Sequence, residues 1–168
     1  YMGITGLLAG AQEDPAVKAI FAIVPMGDAY RDIVFTGGQI NAGFIPLWVT
    51  LVTGLGIIPT PAGLDNGEPG YYLTTLLQHL QGALTEFQVP VVAGALIGDE
   101  NKYDPEFGRI RSPLEQIDKI TAPTFVVGGL NDIFQRGEPL IYEGLKDHTT
   151  AKLLIGPWEH LDGSSGAG

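Results

Sequence analysis

Three histidines, His79, His148 and His160, are the whole supply of imidazole in this chain, so a histidine general base must be one of them. His79 lies in the run Leu76-Leu77-Gln78-His79-Leu80-Gln81, whose spacing is helical, and reads there as an ordinary helix residue. His148 stands in the polar connector Lys146-Asp147-His148-Thr149 and reads as a solvated loop residue. His160 differs, because it follows the apolar run 151–155 and the turn Gly156-Pro157-Trp158-Glu159. That places it beyond a strand's carboxyl end, where catalytic groups of open α/β sheets collect. A second run, 123–129, ends in Leu130-Asn131-Asp132 and sets a carboxylate at the same edge. Alone, Asp132 is also ordinary turn chemistry and His160 a surface loop residue. Together they can do more: a buried carboxylate accepts the imidazole N–H, fixes the tautomer and stabilises the imidazolium formed when the ring takes a hydroxyl proton.

A hydroxyl nucleophile is harder to find. The first serine is Ser112, in Arg111-Ser112-Pro113, where a helix start is the better reading. Thr5 is the only hydroxyl between residues 2 and 12, and little favours it as a nucleophile. The chain has no cysteine, hence no thiolate, no disulfide framework and no Cys-based metal site, and nothing in it calls for a metal or organic cofactor.

The elements that would carry Asp132 and His160 follow from the apolar runs. Residues 2–12 are rich in Leu, Ala and Ile and stop at Glu13-Asp14-Pro15, the pattern of a short buried helix. Residues 17–24 form a β-branched and aromatic run closed by Pro25, suited to a buried parallel strand. Strands at 123–129 and 151–155 flank a helical stretch at 138–146. This β-α-β rhythm predicts an α/β fold with a mostly parallel sheet. Between the first two strands lie nearly one hundred residues with helical patterns at 43–55 and 71–87. A structureless connection of that length is not expected, so it should be an inserted helical cap. The expected organisation is a core part at 1–26, a cap at 27–122, a core part with the acid and histidine loops at 123–162, and a linker or tail at 163–168. Acid then base on loops after late strands is the chain order of α/β-hydrolases, in which a serine precedes both.

Composition narrows the partners. Nine Lys and Arg against 19 Asp and Glu give a formal charge of -10, which would repel a phosphate backbone, so nucleic acid is not expected. Residues 33–64 carry no Asp, Glu, Lys or Arg, yet Pro46, Gly54, Gly56, Pro59 and Pro61 interrupt them. A buried or pocket-lining helix is expected there instead of a membrane span. The absence of cysteine fits either redox compartment and leaves localisation open, and oligomeric state is not legible.

Five short motifs in order give a resemblance. They are Tyr1-Met2-Gly3; Asp28-Ala29-Tyr30-Arg31 with Gly37-Gly38; Phe107 through Arg111-Ser112-Pro113; Gly128 through Phe134; and Gly156-Pro157-Trp158-Glu159-His160. Together they resemble the X-Pro dipeptidyl-peptidase-like, cocaine-esterase-like serine acyl hydrolases. Gly108 stands where that family usually has Trp, and Leu130-Asn131 replaces its usual Trp-Tyr. The resemblance implies an α/β-hydrolase core with a helical cap, cleaving a small ester or amide through an acyl-serine intermediate without a cofactor. It also implies Asp132 as triad acid, His160 as base and the Tyr1 backbone amide as an oxyanion donor, with Trp48 and Phe134 at positions of pocket aromatics. Tyr1-Met2-Gly3 looks like the part of the Gly-x-Ser-Tyr-x-Gly elbow that follows the serine, so the chain is expected to be an inactive fragment beginning just past its nucleophile. The second donor, a tyrosine hydroxyl, would lie upstream. The alternative is a non-catalytic module of hydrolase ancestry that binds an apolar ligand or a partner.

Overall fold

A computed structural model describes residues 2–99 and 106–162. The chain divides into two compact units, one made of residues 1–39 and 106–168 and the other of residues 40–105.

The first unit is built on a three-stranded parallel sheet of order β1-β2-β3, with β1 at Ile20–Ile23, β2 at Thr124–Gly129 and β3 at Ala151–Gly156. Ile20 pairs with Thr124 and Thr124 with Ala151, so the three strands start level. β2, the middle strand, is apolar on both faces and buries five of its six residues. β3 keeps Lys152, Leu154 and Ile155 exposed. β1 is shorter than the run 17–24 suggests. The Val17 amide closes a turn onto Asp14 O, and Val24 takes a φ of 42°, rare for a β-branched residue, which ends the strand and aims the chain at Pro25.

Helix α1, Met2–Gly10, runs along β1 and buries one face through Gly3, Leu7 and Gly10, while Met2 stays exposed. A side chain at Gly3 would run into Ile23 O, so glycine is what permits the close approach. Leu7, Ile20, Ala22, Ile120, Val126, Ile141 and Leu145 form the core. Ile141 and Leu145 come from the helix before β3, Gly137–Leu145; Ile120 follows a 3₁₀ segment at Pro113–Lys119. Residues 27–39 also belong to this unit and contain a π-helical turn, Tyr30–Val34.

The second unit is helical: α2 at Ile45–Ile57, α3 at Ala62–Asp65, α4 at Pro69–Thr85 and α5 at Gln88–Leu96. Helices α2, α3 and α5 each pack against α4. Pro46 and Pro69 sit in first turns, where a missing N–H is harmless. The expectation that the apolar stretch is buried is corrected in part. Only Ile45 of α2 is buried, and Leu47, Leu51 and Leu55 form an exposed stripe. The opposite side of α2 does line a groove of about 530 Å³ shared with α5, through Val49, Thr53, Ile57, Val89, Val92 and Leu96. Residues 45–65 have the length and hydropathy of a membrane span, but the helix stops after 13 residues at Ile58, which is extended ahead of Pro59.

Candidate active site

The sheet's carboxyl edge brings Asp132 and His160 together. β2 ends at Gly129 and the chain turns at once, with the Asp132 amide donating to Gly129 O. One carboxylate oxygen, Oδ1, accepts from the Phe134 amide at 2.6 Å, an Asx turn that fixes the side chain. The other, Oδ2, lies 2.6 Å from His160 Nδ1. The Asp132 side chain is fully buried, while that of His160 is 36% exposed. An ionised Asp132 can only accept, so Nδ1 carries the hydrogen and Nε2 is the ring's acceptor. This is the arrangement a histidine needs to take a proton from a hydroxyl.

The two loops are stitched to each other. Leu130 N donates to Gly156 O and Asn131 N to Trp158 O, and the Asn131 side-chain amide donates to Pro157 O at 3.3 Å. A side chain at Gly129 would collide with Trp158 O, and one at Gly156 would enter the Trp158 ring. Phe134 is buried with its ring edge-on to the imidazole, centroids 5.1 Å apart at 85°. Packing on His160 is therefore what this aromatic visibly does.

The remaining candidates separate. Tyr1 lies outside the described residues. Trp48 is on α2 of the second unit, stacked on Phe44 with centroids 6.4 Å apart. His79 Nδ1 lies 3.2 Å from Ile57 O, within the second unit, and His148 is exposed after the helix Gly137–Leu145. Thr5 Oγ1 donates to Met2 O. Ser112 precedes the 3₁₀ segment, as a helix-start residue should, but its hydroxyl does not cap it. The buried Oγ donates to Gly108 O and accepts from Ala29 N, tying residues 27–39 to 106–112.

Sequence reasoning missed a cluster of buried acids behind the loops. Asp32 Oδ2 accepts from the Gly27 and Asp28 amides, and Oδ1 from the Arg136 guanidinium at 2.5 Å. Asp28 accepts from the Tyr30 and Arg31 amides and from the Arg31 guanidinium. Burial alone would raise the Asp28 carboxyl, but the Arg31 amide and guanidinium outweigh it and hold the group below the ordinary carboxylate range. Glu138 is wholly buried, and its carboxyl oxygens make no hydrogen bond of good geometry, although the Gly129 amide lies near. Burial first, then the neighbouring Asp132 and Asp32 charges, push it up to about 8. In sequence, Gly137-Glu138-Pro139 is indistinguishable from an exposed acid in a helix's first turn, the position that the helix dipole favours.

The sequence model of the family described as X-Pro dipeptidyl-peptidase (S15 family) matches residues 1–162. The chain belongs to this family. It is 25% identical over 171 residues to cocaine esterase from Rhodococcus sp. (strain MB1 Bresler), covering 95% of this chain and 30% of that protein. Among solved structures it is similar to the acylaminoacyl peptidase of Pyrococcus horikoshii, with a TM-score of 0.54 at 15% identity, over 98% of this chain and 19% of that one. The fold is thus that of an α/β-hydrolase, and the chain spans less than a third of the length of either protein.

Proposed function

We propose that the protein carrying this chain is a serine hydrolase that cleaves a small ester or amide, with Asp132 and His160 as the acid and base of its triad. The observation that carries this reading is the 2.6 Å contact between His160 Nδ1 and a fully buried Asp132 carboxylate at the carboxyl edge of a parallel sheet. Family membership favours the same chemistry. In the proposed reaction His160 Nε2 takes the proton of a serine preceding Tyr1 as that oxygen bonds to the carbonyl carbon. The ring then gives the proton to the departing alcohol or amine, and water repeats the sequence to release the acid. The Tyr1 amide is proposed as one donor to the oxyanion, and no cofactor takes part. Phe134, against the imidazole, is proposed to face the acyl group.

The test is hydrolysis of p-nitrophenyl acetate by the full-length protein and its His160→Ala variant. A loss of about 10³-fold or more in kcat is expected, the scale seen when a triad member is removed. Turnover indifferent to His160 would overturn the assignment.

A further inference from the structure

Glu138 is the one wholly buried carboxyl group among the described residues whose oxygens make no good hydrogen bond. Leaving a charge in such a place is expensive, and a packed apolar residue would avoid the expense. The backbone around it has been cleared to make room. A side chain at Gly128 would overlap the Glu138 carboxyl, so β2 is glycine where the acid presses against it. Gly128 and Gly129 are the last two residues of β2, immediately before the loop that holds Asp132.

Resting on the reading of Asp132 and His160 given above, we propose that Glu138 is a positioning residue for that pair. It seats the end of β2 beneath the Asp132 loop as a neutral carboxylic acid, and its charge state is coupled to that of Asp132. The neighbourhood explains why neutrality matters. Asp132 and Asp32 both face Glu138 with negative charge. Arg136, two residues earlier in the chain, is paired with Asp32. Glu115, Asp118 and Lys119 on the packed 3₁₀ segment and Lys152 on β3 are solvent-exposed. A proton on Glu138 therefore keeps a third carboxylate charge out of the site. Burial and the Asp132 charge both favour that proton, up to a pH of about 8. The coupling is reciprocal: an ionised Glu138 repels the Asp132 carboxylate and strains the loop that holds it against His160.

Two measurements on the full-length protein test this. The Glu138 carboxyl carbon, followed by NMR against pH, should titrate near 8 and move down by on the order of one unit in Asp132→Asn, where the neighbouring charge is gone. A midpoint near that of a free glutamate, or one blind to Asp132→Asn, would overturn the coupling. In parallel, kcat/KM for p-nitrophenyl acetate should fall above about pH 8 through an ionisation that Glu138→Gln removes. Gln supplies the same shape without the charge. Superimposable pH profiles of the two proteins would overturn the positioning role. If the unaltered protein hydrolyses nothing, the reaction proposed above fails while the carboxyl titration still decides the coupling. Stability gives a control against misfolding. The folded-state pKa of Glu138 lies above the unfolded one, so its burial opposes folding increasingly from about pH 4.5 to 8. Glu138→Gln should gain stability over the unaltered protein across that window, and an even gap at all pH values would count against a buried neutral acid.

Discussion

The two units solve the problem of holding helices in opposite ways. In the first, apolar packing and polar contacts converge: Leu7, Ile120 and Leu145 are fully buried, and Asp28, Asp32, Ser112 and Asp132 are buried with named partners. In the second, the helices carry almost no charge, yet Leu47, Leu51, Leu55, Leu73, Leu77 and Leu84 are all more than half exposed. Hydrophobicity alone therefore does not report where the core is. What distinguishes the sheet-bearing unit is that its turns fix buried carboxylates through backbone amides, and fixed polar groups are what a reaction requires of its scaffold.

The same substitution made in both units measures this difference. Leu7→Ala should destabilise the sheet-bearing unit by about 3 kcal/mol, because Leu7 is wholly enclosed between α1 and the sheet and the cavity cannot easily collapse. Urea unfolding followed by hydrogen exchange at β2 reads this directly, and a loss below about 1 kcal/mol would mean that α1 is not a true wall of the core. A smaller effect on stability, with a disproportionate one on activity, is expected from Gly129→Ala. Its new methyl would push Trp158 O away and with it the loop bearing His160. Overpacking of this kind costs about 1–3 kcal/mol, and His160 should lose its contact with Asp132. A variant with unchanged hydrolysis would show that the two loops do not depend on one another.

How much of this was readable in the residues depends on the kind of signal. The three strands and the helices α1 and Gly137–Leu145 are uninterrupted apolar or periodic runs, and the Asp132 and His160 loops follow such runs directly, so chain order sufficed to pair them. Helix α5 was not legible because Val-Pro-Val-Val argues against a helix, although Pro90 falls in the first turn, where proline is tolerated. The partnership of Asp32 with Arg136 spans 104 residues and leaves no trace in local pattern. Arg111-Ser112-Pro113 reads as a helix start, but the Ser112 hydroxyl bonds Gly108 O and Ala29 N instead of capping the segment, and those partners are set by tertiary approach. Glu138 was invisible because an acid in a first turn is ordinary until burial shows otherwise.

The smallest expected effect is the most discriminating for the second unit. Leu51 sits in the middle of α2 with 57% of its surface exposed, between Leu47 and Leu55 on the same stripe. Leu and Ala have nearly equal helix propensity, so Leu51→Ala removes exposed methyl groups and little else. Stability of the helical unit should change by no more than about 0.5 kcal/mol, as for ordinary surface substitutions. Thermal unfolding monitored through hydrogen exchange of α2 amides checks this against Leu7→Ala. A loss approaching that of Leu7→Ala would mean that the stripe is covered in solution, because a leucine facing water has no cavity to leave behind.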